Sequence, residues 1–257
     1  IGAMVAHGAI RAYVMGERGA ANEAATAEDI AAMAKITRES MDAGAVGFSS
    51  SRTPVHIAVD GRPVPGTFAA EDELLALARA VKASGRGLVE MVNSGIIGED
   101  VDGMEREMQL NRALAAGSGA AVLFLLLQHN VDPAQWQRQL AVCEAAARDG
   151  HQLVPQVAGR PISILFSFEG EHPWRFMPSY AAIADLPFEQ RYAALASPEM
   201  KARLLAEQDP NDTGFSLIYK NPTLWEHTYA TDSPINYTPP PEKAVAEIAC
   251  RTGKSPW

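Results

Sequence analysis

The 257-residue sequence predicts an α/β fold built around a parallel sheet. Five apolar segments of strand length begin near residues 3, 45, 87, 120 and 152, and a helical pattern with one apolar face follows each of the first four. Continuous apolar strands that alternate with helices are typical of sheets covered on both faces. The pattern therefore suits a doubly wound sheet or a (β/α)8 barrel, in which the loops after the strands hold the functional residues.

Clear boundary signals predict the first strand–helix–strand unit. A strand at 3–6 precedes a helix that begins after Thr26, because Thr26 and Asp29 have the spacing of a capping box. Gly44 can end this helix in the left-handed conformation. The next apolar segment, at 45–48, is too short for another helix and is predicted to be the second strand.

The same alternation continues through three further units. Asp132 and Pro133 predict the start of the last of their helices, since aspartate is favoured at the N-cap and proline at the first helical position. The predicted elements are helix 71–84, strand 87–92, helix 101–116, strand 120–127, helix 132–150 and strand 152–157.

After residue 160 the alternation loosens. A sixth strand at 215–220 and a final helix at 242–251 are the clearest remaining elements. We expect residues 1–257 to form a single barrel fragment that lacks the first and last barrel strands, with a looser, insertion-bearing region at 161–240. On this interpretation the sequence is an internal part of a larger protein.

The composition argues against several kinds of partner. The net charge of −9 disfavours a nucleic-acid groove or an acidic membrane surface. No apolar run approaches the ~18 residues of a transmembrane helix, and two cysteines give no disulfide framework, so a cytoplasmic setting is expected. A small molecule is the expected partner, and a homo-oligomer is compatible with the strand edges that an open barrel exposes.

Three residues are candidates for metal binding or catalysis. His7 and His129 follow predicted strands, where a metal or substrate site would lie, although either could instead cap backbone groups of a loop. Glu90 lies within the third strand, and a carboxylate there is rarely buried without a partner. We therefore predict that Glu90 points into a polar barrel mouth as a catalytic group; the alternative is a structural acid in a salt bridge.

Further polar residues at strand ends are candidates for substrate binding. An arginine can hold a carboxylate through two parallel hydrogen bonds, but Arg52 and Arg160 could equally be surface ion-pair partners. Glu90, Gln128, Gln156 and segment 49–52 are expected to converge on one mouth, because C-terminal strand ends share one face of a barrel. The predicted substrate-binding residues are Ser49, Ser50, Arg52, Asn93, Gln128, Gln156 and Arg160.

Three segments resemble those of a known family. Residues 7–11, His-Gly-Ala-Ile-Arg, are similar to its Gly-His-x-x-Leu-Arg segment. Residues 42–50, Asp-Ala-Gly-Ala-Val-Gly-Phe-Ser-Ser, are similar to its Asp-Ala-Gly-Ala-x-Gly-x-Ser-Thr segment, and Pro-Gly-Thr follows at 65–67. The family is the N-acyl-D-amino-acid deacylase (D-aminoacylase) branch of the amidohydrolase superfamily, amidohydrolase family 3.

The resemblance implies a partial (β/α)8 barrel of the metal-dependent hydrolase kind. It implies cleavage of the amide bond of an N-acyl-D-amino acid or a related small amide by a zinc-bound water, with zinc or another divalent metal as cofactor. The family's HxH segment and its final-strand aspartate are absent from these 257 residues, and segment 89–93 has no histidine where the family has a ligand. The alternative interpretation is therefore a decayed, metal-free barrel that binds a small carboxylate without hydrolysis.

Overall fold

The computed structural model describes residues 2–96, 98, 100–128, 131–159, 167–170, 172–208, 210 and 223–256. The chain divides into two compact units, Ile1–Ala158 and Gly159–Trp257. The division falls where the alternation of strands and helices loosens in the sequence. The expectation of a single barrel fragment with a looser region at 161–240 stays a prediction.

The first unit contains a parallel sheet whose strands lie side by side in sequence order. Its strands are β1 (Met4–Ala6), β2 (Gly47–Ser51), β3 (Leu88–Val92), β4 (Ala121–Leu125) and β5 (Leu153–Gln156). Each begins within about two residues of its predicted position. The sheet is that of five consecutive strands in a partial (β/α)8 barrel, which confirms the predicted fold class.

Helices connect these strands along the chain. They are α1 (His7–Met15), α2 (Glu17–Ala20), α3 (Ala27–Asp42), α4 (Glu71–Ala83), α5 (Val101–Ser118) and α6 (Gln135–Arg148). The capping box at Thr26 is confirmed, since its hydroxyl accepts from the Asp29 amide while the Asp29 carboxylate accepts from the Thr26 amide. The helix predicted to start at Asp132 begins instead at Gln135. Asp132 lies in a turn just before this helix, where it accepts hydrogen bonds from the Ala134 and Gln135 amides.

Helix α1 was not predicted from the sequence. Segment 7–11 follows β1 without an interval, and Gly8 within it is a poor helix former. The helix nevertheless forms because Ile10 and Met15 pack into the core on one side. Its first residue, His7, is therefore held by helical geometry at the carboxyl end of β1.

The two faces of the sheet have different surroundings. Alternate side chains of β3 and β4, such as Met91 and Phe124, are fully buried in the main hydrophobic core, which the helices also line. The intervening side chains are partly or fully exposed, as the alternation of burial along β3 and β4 shows. We call the first face the helix face and the second the open face.

A glycine in the family-like segment is required by the close approach of β2 and β3. Gly47 pairs in register with Leu88, and a methyl group on Gly47 would overlap the carbonyl oxygen of Leu88. A backbone oxygen has little room to move within a sheet, so alanine is disfavoured at this position. The glycine spacing of segment 42–50 therefore has a packing reason that is separate from chemistry.

In the part that the structure describes, the second unit has short helices joined by long irregular segments. Its helices are α7 (Pro178–Ala181), α8 (Phe188–Leu195), α9 (Pro198–Ala206) and α10 (Val245–Thr252), with short 3-10 helices at Leu224–Glu226 and Pro241–Lys243. A small core forms around Tyr180, Met200 and Leu204. Helix α9 begins after Ser197, whose hydroxyl caps it by accepting from the Met200 amide. The strand predicted at 215–220 lies outside the described residues.

Candidate functional site

The open face of the sheet brings together several of the predicted polar residues. Ser49 and Glu90 are direct neighbours in the register of β2 and β3, so their Cα atoms lie about 5 Å apart. The Glu90 side chain is exposed, while Ser49 is half-buried. Val154 of β5 is in register with Glu90, because both pair with Leu123 of β4. Gln156 is exposed and lies two residues beyond Val154, at the end of β5. These three residues share one face.

His7 lies on the helix face, in a buried polar network. Its Nδ1 is 2.8 Å from the Ser50 hydroxyl, and its Nε2 is 2.8 Å from a carboxylate oxygen of Glu73 in α4. The guanidinium of Arg11 donates to both oxygens of that carboxylate at 2.5 Å. The four side chains are each less than 5% exposed. Both ring nitrogens of His7 are therefore already engaged.

The charge state of Glu73 follows from this network. Burial would raise the pKa of its carboxyl, but the hydrogen bonds from His7 and Arg11, together with the positive charge of Arg11, outweigh burial. The net result is a lowered pKa, so the carboxylate stays ionised. The Arg11 guanidinium also donates to the carbonyl oxygen of Glu23, which joins the loop before α3 to the network.

The Pro-Gly-Thr segment lies directly against this network. Gly66 has a φ of +96°, and a Cβ atom there would stand 2.6 Å from the Nδ1 atom of His7. Only glycine accommodates both the backbone conformation and the imidazole. The three family-like segments thus meet in space: residues 7–11 supply the histidine and arginine, 42–50 the serine, and 65–67 the glycine.

Arg52 and Asn93 are engaged by helix α5. The Arg52 Nε atom donates to both oxygens of Glu107 at 2.9 and 2.8 Å, and one of its terminal nitrogens donates to the Ala69 carbonyl at 2.7 Å. Asn93 is fully buried and accepts a hydrogen bond from Asn111 at 3.0 Å. Both side chains are therefore directed away from the open face. The sequence predicted that both would bind substrate.

Of the three remaining predicted residues, the structure describes Gln128. The Gln128 side chain donates to the Pro133 carbonyl at 3.3 Å in the loop before α6. His129 and Arg160 lie outside the described residues. Of the residues expected to converge on one mouth, the open face joins Ser49, Glu90 and Gln156, whereas Ser50 and Arg52 lie elsewhere. The functional roles assigned from sequence stay predictions.

Glu73 and Arg11 are the two residues of the His7 network that were not predicted as site residues. His7 and Arg11 stand four residues apart, which places them on one side of a helix once α1 is recognised. Glu73 lies in the first turn of α4, where an acidic residue is ordinary and attracts no notice. The missed signal was therefore the helical spacing of His7 and Arg11.

The described residues do not fit a metal centre. Nowhere among them do three or more histidine, cysteine, aspartate or glutamate side chains gather in an arrangement that could hold an ion. His7, the predicted ligand that the structure describes, uses both ring nitrogens in hydrogen bonds. The described helices also include none that is long and apolar enough to cross a membrane.

Comparison with solved structures identifies proteins whose fold is similar to that of this chain. The chain is similar to the N-acyl-D-glutamate deacylase from Bordetella bronchiseptica, solved with zinc and a phosphonate that mimics the tetrahedral intermediate of the reaction. The sequence identity is 26% and the TM-score 0.50, over 62% of this chain and 31% of that chain. It also matches a D-aminoacylase at 20% identity and a TM-score of 0.46, over 60% of this chain and 29% of that chain.

The chain thus spans less than a third of the length of either protein. No family model and no curated protein matches it. The deacylase match, at 26% identity and a TM-score of 0.50, nevertheless supports a place in the amidohydrolase superfamily. The chain therefore has a D-aminoacylase-like fold of the amidohydrolase superfamily.

Proposed function

We propose that this chain is part of an amidohydrolase that cleaves the amide bond of an N-acyl-D-amino acid or a related small amide. The observation that supports the proposal most directly is the likeness to the N-acyl-D-glutamate deacylase, at 26% identity. The sequence resemblance of segments 7–11, 42–50 and 65–67 points to the same branch. A metal in the whole protein belongs to this proposal, since that deacylase was solved with zinc.

Within this chain we assign substrate contacts to the open face. Glu90 is exposed, and none of the described residues forms an ion pair with it, so its carboxylate is available to accept or return a proton. The Ser49 hydroxyl and the Gln156 amide can offer hydrogen bonds to the oxygens of an acyl amino acid. Arg160 and His129 keep their proposed roles as a carboxylate-binding residue and a metal ligand.

The described residues supply no set of metal ligands, so we assign no metal-dependent step to them. A metal, when bound, would supply the activated water and polarise the amide carbonyl. The residues on the open face would position the substrate and handle the proton that the leaving amine needs. The buried network of His7, Glu73 and Arg11 would hold α1 and α4 against the carboxyl ends of β1 and β2.

The test is an assay of the longest natural protein that contains this chain. We expect it to hydrolyse N-acetyl-D-glutamate or another N-acetyl-D-amino acid faster than the L-isomer. Substitution Glu90→Gln should lower kcat by about 100-fold or more, as for the loss of an acid–base group. Glu39→Gln, the same change on the exposed surface of α3, should leave kcat unchanged.

A protein that hydrolyses none of these substrates after loading with zinc contradicts the proposal. If such a protein is folded and binds a small carboxylate without turnover, the decayed-barrel interpretation replaces it. Equal activity of the Glu90→Gln and Glu39→Gln variants would contradict the catalytic role of Glu90 but leave the proposed amidohydrolase activity in place.

A further inference from the structure

A serine and a histidine form a hydrogen-bonded pair at the carboxyl end of β2. The Ser51 hydroxyl oxygen lies 2.7 Å from the Nδ1 atom of His56. Ser51 is the last residue of β2 and stands two positions beyond Ser49, so both side chains lie on the open face of the sheet. Ser51 is half-buried and His56 is exposed, so solvent and small molecules can reach the pair.

A tight turn brings the histidine back to the serine. The His56 amide donates to the Thr53 carbonyl at 3.3 Å, and Pro54 occupies the second position of this turn, which the fixed φ of proline favours. Thr53 is fully buried and Val55 is 6% exposed, so the turn is anchored in the interior of the protein. The two side chains of the pair are therefore held together by a local element of the backbone.

A short hairpin fixes the chain on the other side of His56. The Val64 amide donates to the His56 carbonyl at 3.0 Å, and Ile57 and Pro63 form an antiparallel bridge. The side chain of Asn22 in turn donates to the carbonyls of Pro63 and Val64, each at 3.2 Å. Because its backbone is held on both sides, the imidazole stays beside the serine before any substrate binds, as effective catalysis requires.

A hydroxyl bonded to a neutral imidazole is the arrangement of an activated nucleophile. With the ring proton on Nε2, the Nδ1 atom of His56 accepts the Ser51 proton as the hydroxyl oxygen attacks a carbonyl carbon. The pair is open to water, which weakens the electrostatic stabilisation of the charge that develops on the carbonyl oxygen. An activated ester suits such a site better than an amide, because its phenolate leaves without needing a proton.

We propose that Ser51 and His56 form a nucleophile–base pair that hydrolyses activated esters of small carboxylic acids. The Ser51 oxygen bonds to the acyl carbon, its proton passes to Nδ1 of His56, and the ester C–O bond breaks to release the phenolate. The imidazolium gives its proton to the phenolate or to solvent. The neutral ring then takes a proton from the water that attacks the acyl-serine, and returns it to the Ser51 oxygen as the acid leaves. The reaction uses side chains of this chain alone, so it does not depend on the proposed amidohydrolase activity.

The test is the reaction of the whole chain with p-nitrophenyl acetate. We expect an initial burst of about one p-nitrophenolate per chain, with the acetyl group located on Ser51 by fragmentation of its peptide in a mass spectrometer. Ser49 is an internal control, because it is half-buried on the same face of β2, yet no described histidine bonds its hydroxyl. Acetylation of Ser51 should be at least about 100-fold faster than that of Ser49, the factor that a general base supplies.

A pair of histidine variants tests the base. His56→Gln keeps a polar side chain beside Ser51 but removes the proton acceptor, so it should slow the acetylation of Ser51 at least about 100-fold. His227→Gln, the same change at an exposed histidine of the second unit, should leave the rate unchanged.

Two results would overturn the proposal. One is a chain that carries no acetyl group on Ser51, or carries it on Ser49 at the same rate, which shows that the histidine does not activate the hydroxyl. The other is an undiminished rate of Ser51 acetylation in His56→Gln. The comparison of the two serines needs no variant, so it holds even if His56→Gln fails to fold.

Discussion

His172 is a buried histidine whose surroundings favour its neutral form. Its ring is 3% exposed and lies 4.2 Å from the Tyr180 ring and 4.9 Å from the Phe168 ring, measured between ring centres. The Nδ1 atom accepts from the Trp174 amide, so the neutral ring has its proton on Nε2, which lacks a hydrogen-bond partner among the described residues. A protonated ring would place an uncompensated charge in this apolar cluster.

We predict that His172 resists protonation until the pH is close to 4. Burial lowers its pKa to about 4, and the positive charges of Arg175 and Arg191 act in the same direction. The unfolded chain protonates this histidine near pH 6.5. Between pH 6.5 and 4 the unfolded state therefore binds the proton first, so stability falls as the pH falls, by about 3 kcal/mol in total.

An NMR titration of the His172 ring signals measures this pKa directly. Urea unfolding of the second unit between pH 4 and 7, followed by a probe near Trp174, measures the stability. The variant His172→Phe, which keeps an aromatic ring, should lose this part of the pH dependence. A midpoint near 6.5 for His172, or an unchanged pH dependence in the variant, would contradict the prediction.

At the scale of elements, the sequence predicted a strand or helix best where its local hydrophobic pattern was sufficient to determine it. The five strands were predictable because each is a short apolar run between one-sided helices, and their parallel order follows from the crossover helices. Helix α1 was not, because its nine residues include Gly8 and immediately follow β1 without a turn signal. Its helical state depends on tertiary contacts of Ile10 and Met15.

The site was less predictable than the fold for a similar reason. A position at the end of a strand indicates which edge of the sheet a residue occupies. It does not indicate which side chains that residue contacts. Ser49 and Ser50 are adjacent in sequence, yet one lies on the open face and the other bonds His7 on the helix face. Alternation along β2 separates the two serines, but the second partner of His7, Glu73, is 66 positions away in the sequence and could not be predicted from it.

The His7–Glu73–Arg11 network is expected to be a main link between α1, β2 and α4. In Glu73→Gln the shape is kept but the charge is lost, and the buried Arg11 guanidinium loses its counter-charge. We expect the free energy of unfolding of the first unit to fall by about 3–5 kcal/mol, as for breaking a buried ion pair. Urea unfolding monitored by circular dichroism gives this difference.

Glu39→Gln is the matched control, because it makes the same change at an exposed ion pair with Lys35. Such pairs contribute about 0–1 kcal/mol, so this variant should unfold close to the unsubstituted chain. If both variants unfold at the same urea concentration, the network does not stabilise the fold in the way proposed.

At the scale of the whole molecule, the part of the chain that the structure describes has one hydrophobic core in each unit. The larger core draws on residues from Ile10 to Leu153, all within the first unit. The smaller one surrounds Met177, Tyr180, Met200 and Leu204, all within the second. The sequence pointed to this division only through the loss of strand–helix alternation after residue 160, since a contact boundary depends on tertiary packing.

Because none of the described residues of the larger core comes from the second unit, we predict that residues 1–158 fold without residues 159–257. Five methionines of that core, Met33, Met41, Met91, Met104 and Met108, are at most 2% exposed and report on its packing. Their methyl signals should have nearly the same NMR positions in the shortened chain as in the full chain. The exposed strand edges favour association, so the spectra are compared at several low protein concentrations. Collapsed methyl signals at every concentration would mean that the larger core needs residues beyond 158 to form.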